Sequence, residues 1–148
     1  MSGNVIVALV LIAIGGAAIA IQAPINARLA QAAGSPILAA AVSFGVGFLV
    51  LGALSLARDG VPVPQAFAGL PWWVWTGGAL GAIYVAAAAW SVSQIGVVTL
   101  VVALILGQMG AALVLDAVGA FGLTVREITW TRLLAVAFVI AGLVLSRL

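Results

Sequence analysis

The sequence predicts an all-α polytopic membrane protein, with five transmembrane helices forming a single domain over residues 1–148. Three observations lead there. Hydrophobic residues make up 66% of the chain and charged residues 5%, with a mean hydropathy of +1.41. A soluble domain could not hydrate a surface so poor in charge. Apolar runs of membrane-spanning length also recur, separated by short stretches rich in Gly, Pro and Arg. Finally, Trp72, Trp73 and Trp75 cluster at the start of one such run, as an interfacial aromatic belt does.

Composition narrows the function classes. The net charge of +2 comes from five arginines and no lysine, too few for a nucleic-acid face. The chain has no His and no Cys, which removes disulfides, thiolate chemistry and the usual zinc sites. Its three acids, Asp59, Asp116 and Glu127, form no catalytic pair or oxygen-ligand cage. No nucleophile–base pair is visible either, so an enzyme is not expected, nor is a cofactor. No Arg-rich helix suggests a voltage sensor, no TVGYG-like filter a potassium channel, and no Gly-Lys-Ser/Thr loop a phosphate cradle.

The first segment is expected over residues 4–33. Without a basic n-region, and with too long an apolar run, it reads as a transmembrane helix and not as a signal peptide. A bilayer core needs about 20 residues, so the length points to a kink at Pro24. Gln22 and Asn26 lie four apart on one face beside that proline, and Arg28 and Gln31 follow. Gly34-Ser35-Pro36 makes a short turn with Ser35 as N-cap.

The second segment, 37–57, carries Gly45, Gly47 and Gly52 at spacings that let a neighbouring helix approach closely. Arg58-Asp59-Gly60 ends it, and residues 61–70 form a proline-containing loop. The third segment, 71–94, starts at Pro71 and the tryptophan belt, places Tyr84 near mid-span, and ends with Trp90, Ser91 and Gln94. Ile95-Gly96 makes a minimal turn, pairing this segment with the next as an antiparallel hairpin. The fourth, 97–117, carries Gln108 between Gly107 and Gly110 and Asp116 at its far end. Gly119 to Gly122 breaks it, and the fifth segment, 130–147, completes the chain.

The polar residues within these spans are the candidate functional groups, because lipid offers amides no hydrogen bonds. Gln108 lies roughly 17 Å into its segment, near the bilayer midplane. It reads as a substrate-contacting amide or as an interhelical hydrogen bond. Gln22 and Asn26 around Pro24 read as part of a site built on a broken helix, or as a helix end meeting water. Tyr84 and Trp90 would wall a flat or cationic substrate, or serve as packing and belt residues. Asp116 is a possible proton or cation coupling site, against a structural carboxylate paired with Arg126 or Arg132. Arg28 would face the path or snorkel to the interface.

Alternate crossings place the N-terminus, Arg58, Arg126 and Arg132 on one side and Arg28 and Arg147 on the other. So small a bias permits a fixed topology with the N-terminus inside, or insertion both ways and pairing with an inverted copy.

Three stretches carry a family resemblance: QAPINARLAQAAGSPILAAAVSFGVG (22–47), PWWVWTGGALGAIYV (71–85) and GQMGAALVLDAVGAFGLTVREITWTRLLAVAFVIAGLVL (107–145). In order and spacing they resemble the YdcZ-type small inner-membrane proteins of the drug/metabolite transporter superfamily. The resemblance covers nearly the whole chain. It implies a multi-pass protein of the bacterial inner membrane, half of a ten-helix bundle, completed by an antiparallel homodimer. The last three helices also resemble those of small multidrug resistance proteins, whose first helix carries a glutamate for protons and cationic substrate. No acid stands in the first segment here, so cation–proton exchange is not implied, and a neutral or zwitterionic substrate fits better.

The expected function is therefore a small-molecule exporter working by alternating access. Its site would comprise Gln22, Asn26, Tyr84, Trp90 and Gln108, its surroundings the lipid bilayer. The competing readings are a non-transporting subunit or regulator of another membrane protein, and a narrow channel.

Overall fold

The computed structural model describes residues 3–61 and 67–148. Residues 62–66, half of the proline-containing loop expected at 61–70, lie outside the described residues. Among the described residues four α-helices follow in order: α1 (Gly3–Ala33), α2 (Pro36–Asp59), α3 (Gly77–Val118) and α4 (Trp130–Leu145). The chain divides into two compact units, Met1–Gln94 and Ile95–Leu148, which are described separately.

The all-α expectation holds, and the expected fifth helix is not seen as a separate element. The third and fourth expected segments run on as one 42-residue helix, interrupted only at Gly96 (φ 75, ψ 167). Gly96 is the residue at which the sequence placed a turn, and only glycine takes such a backbone conformation without cost. Among the described residues, three helical stretches are long and apolar enough to cross a membrane: Val7–Ala33, Pro36–Asp59 and Trp72–Val118. At 47 residues the last far exceeds one crossing. By contrast, the 16 residues of α4 rise only about 24 Å.

In the first unit, α1 runs unbroken through Pro24. The proline costs one backbone N–H but does not end the helix, since the turn before it holds the remaining bonds. Gly34 (φ 73) then reverses the chain in a conformation that favours glycine. Ser35 caps α2 as expected, its Oγ accepting from the Leu38 N–H at 3.3 Å. The third expected segment begins not as α-helix but as a 3-10 turn over Trp72–Thr76, so Pro71 sits at its N-cap. The Phe67 and Trp75 rings lie 6.0 Å apart at this end.

The buried residues of this unit are mostly alanines. Ala23, Ala27 and Ala30 line one face of α1, Ala39 and Ala40 belong to α2, and Val85, Ala88, Ala89 and Val92 line one face of α3. The large apolar side chains, such as Phe48, Leu49 and Leu51, point outward. Lipid is as apolar as leucine, so helices gain by close backbone approach and not by hiding large side chains.

The expected glycine face of α2 is not where that approach occurs. A methyl group on Gly45, Gly47 or Gly52 would meet nothing within 4 Å, whereas one on Gly81 of α3 would lie 2.9 Å from the Phe44 ring. The α2 glycines face away from the chain's own helices, and Gly81 seats an aromatic ring from α2.

In the second unit, α3 beyond Gly96 and α4 are tied at both ends. The Thr99 hydroxyl donates to the Ser146 carbonyl at 3.2 Å. Arg132, in the first turn of α4, pairs with Asp116 near the end of α3. The turn between them needs Gly119 (φ 61), where a side chain would meet Val125 Cγ2 at 2.7 Å. The Arg126 N–H reaches back to the Asp116 carbonyl at 2.8 Å, satisfying an acceptor at the helix end.

Candidate functional site

The first unit holds a cleft of about 300 Å³ between the end of α1, the turn into α2 and the middle of α3. Ala27, Ala30 and Gln31 line it from α1, Gly34 and Pro36 from the turn, and Ala89, Trp90 and Ser93 from α3. Alanine at 27, 30 and 89 keeps the walls low enough to leave space between packed helices. The volume suits a small molecule, and the few polar groups among apolar walls are what such sites use for orientation.

Each polar group has a definite state. Arg28 Nη1 donates to Gln31 Oε1 at 3.2 Å, which leaves the Gln31 Nε2 donors uncommitted. The Ser93 hydroxyl donates to the Trp90 carbonyl at 2.9 Å and accepts from Gln94 Nε2 at 3.5 Å. Trp90 is 61% exposed, so its ring presents an open apolar face beside the cleft.

A second gap of about 340 Å³ in this unit is lined by Ile37, Ala40, Ala41, Ala82, Ile83 and Ala86. No polar side chain stands on it, so nothing there would fix a ligand's orientation. In the second unit a pocket of about 140 Å³ is lined by Met109, Ala112, Leu113, Arg132 and Ala135. Its one charged group is already held by Asp116. Of these three, the cleft at Trp90 combines volume with available polar groups.

The expected site residues fall in different places. Trp90 lines the cleft. Gln22 lies on α1 and donates to the Ser43 hydroxyl on α2 at 3.4 Å, a helix-to-helix tie. Asn26 is 3% exposed among the alanines of α1, and its side chain makes no hydrogen bond among the described residues. No fully enclosed side-chain nitrogen or oxygen lacks a partner, so the Asn26 amide keeps a narrow opening. Tyr84 is partly exposed on α3. Gln108 belongs to the second unit, where its side chain is exposed and makes no hydrogen bond among the described residues. Asp116 is paired with Arg132, one of the two partners expected for it.

Gln31 and Ser93 were not chosen from the sequence. In the sequence both sit near the ends of the expected segments 4–33 and 71–94, where polar residues ordinarily meet water. Their shared signal is a spacing of three from a candidate on the same helix: Ser93 three residues after Trp90, Gln31 three after Arg28. No cluster of His, Cys, Asp or Glu able to hold a metal occurs among the described residues.

A family model described as "Putative inner membrane exporter, YdcZ" matches residues 7–145. No curated protein and no solved structure matches the chain.

Proposed function

The chain belongs to the YdcZ family of inner-membrane exporters within the drug/metabolite transporter group, and on that premise we propose that it exports a small molecule by alternating access. The family is one of transporters and not of enzymes. The observation that carries the site reading is the Trp90 cleft, an accessible volume with an indole face, an amide and a hydroxyl among alanine walls. Asn26 supports it from the adjacent turn of α1, as an amide buried beside Ala23, Ala27 and Ala30 with no hydrogen-bond partner among the described residues. Tyr84 lies on the same helix as Trp90 and is proposed to contact the substrate along its route.

The protein is further proposed to form one transmembrane domain of five crossings, with α3 crossing twice. The break at Gly96 supports this, because it falls where a segment too long for one crossing has to turn. An antiparallel homodimer would complete a ten-helix bundle. Gln108 supports a partner surface: an exposed amide without a hydrogen bond is costly in lipid and is relieved by a second copy or by substrate. The pairing of Asp116 with Arg132 supports a structural role for that acid over ion coupling.

Reconstituted flux tests the proposal. Purified protein in proteoliposomes should show saturable transport. Trp90→Leu and Asn26→Leu should each reduce it at unchanged expression and folding. Non-saturating flux would mean a channel. No flux, together with co-purification of another membrane protein, would mean a subunit. Either result overturns the exporter reading.

A further inference from the structure

The first unit contains one acid and two arginines among its described residues. Arg58 sits 3.8 Å from Asp59, at the end of α2. That leaves Arg28 without a carboxylate partner among the described residues. Its guanidinium is held by Gln31, which lines the Trp90 cleft, and its remaining N–H groups are free to donate.

The uncommitted side-chain N–H groups around the cleft are donors, and Ser93 is left with acceptor capacity only. Gln31 has its oxygen occupied by Arg28 and its Nε2 free. The Ser93 hydroxyl spends its proton on the Trp90 carbonyl. The Trp90 indole nitrogen donates only and has no partner among the described residues. No acid lines the cleft. The C-terminal end of α1 and the N-terminal end of α2 meet at this turn with opposed dipoles, so the guanidinium sets the sign of the local field. An ammonium ligand would meet a cation and no counter-charge. A carboxylate or phosphate would meet a planar fork of donors.

We propose that the Trp90 cleft recognises its ligand by an anionic group, a carboxylate or phosphate, carried on a flat or apolar body that lies against the Trp90 ring. The inference rests on the reading of this cleft as the transport site and names the class of molecule it takes. Arg28 and Gln31 Nε2 hold the anion, and the alanine walls and the indole hold the body.

A matched series tests it: 3-phenylpropionate, its neutral amide and 3-phenylpropylamine, titrated calorimetrically against the full-length protein in nanodiscs of zwitterionic lipid. The carboxylate should bind about tenfold or more tighter than the amide, the gain of one charge-assisted contact, and the amine weakest. Arg28→Gln should remove the carboxylate's advantage while leaving the amide's affinity unchanged. Arg28→Lys should keep part of it, which separates loss of charge from misfolding. A second arm adds phosphatidylglycerol to the nanodiscs. Displacement of 3-phenylpropionate by this lipid, dependent on Arg28, would support anion recognition and assign the anion to a lipid headgroup. No displacement, with the carboxylate still preferred, assigns it to a soluble molecule. Equal binding of carboxylate and amide, or preference for the amine, would overturn the anion inference while leaving the cleft as a transport site. If no member of the series binds, the site reading falls and the inference with it.

Discussion

Arg132, in the first turn of α4, donates Nη2 to the carboxylate of Asp116 near the end of α3. Arg132 Nη1 also reaches the Glu127 carbonyl at 3.4 Å. Both side chains of the pair are partly shielded, so each screens the other where water is limited. Removing one partner strands the other. Asp116→Asn and Arg132→Gln should each lower stability by about 1–3 kcal/mol, read as the midpoint of unfolding in mixed micelles. The exchanged pair Asp116→Arg with Arg132→Asp should recover part of the loss. Flux through the folded fraction of Asp116→Asn should persist, and its abolition would return the acid to a coupling role.

The tie between Gln22 and Ser43 is the polar link of α1 to α2. Interhelical hydrogen bonds in membranes average about 0.6 kcal/mol by double-mutant cycle, and this one is long. A cycle with Gln22→Leu and Ser43→Ala should give a coupling of about that size. A coupling several times larger would mean a shorter, stronger bond than the 3.4 Å geometry allows.

Asn26 should show opposed effects on stability and transport. Its amide lies buried among alanines without a hydrogen bond among the described residues, which is unfavourable for folding. Asn26→Ala should therefore leave the unfolding midpoint unchanged or raise it, while lowering flux. Lower stability with unchanged flux would mark the amide as structural.

Gly119 takes φ 61 with Val125 Cγ2 and the Leu123 carbonyl oxygen crowding the position of a side chain. Gly119→Ala should cost about 1–2 kcal/mol from the left-handed backbone alone, and more from the contact with Val125. Unfolding of this variant alongside Gly119→Ala/Val125→Ala separates the two terms, since only the second is relieved.

Helix boundaries were legible because they rest on local chemistry. Ser35 announced the start of α2 by its spacing from Gly34 and Pro36, and Gly96 the break in α3. The partner of Asp116 was narrowed to two arginines because a short connection brings both within reach. What the sequence did not reveal depends on which faces pack. Gly81, and not the α2 glycines, seats a neighbour, because helix rotation about its axis is set by tertiary contacts. The cleft needs Ala27 and Ala30 opposite Ala89, a pairing between residues about 60 apart that no local pattern encodes. The bond from Gln22, read as a ligand group, to Ser43 was not legible either, since an amide at membrane depth can hold a neighbouring helix or a ligand.

The central claim is that a small molecule occupies the cleft beside Trp90. The chain contains no cysteine, so Ser93→Cys gives a single thiol on the cleft wall without further changes, and Ala57→Cys a control near the end of α2, away from the cleft. The measurement is the maleimide labelling rate of each variant in proteoliposomes, with and without saturating 3-phenylpropionate, its amide or 3-phenylpropylamine. Occupancy of the cleft predicts that the carboxylate slows labelling at position 93 and leaves position 57 unaffected. Labelling at position 93 that none of the three compounds slows, in protein that still transports, would contradict it.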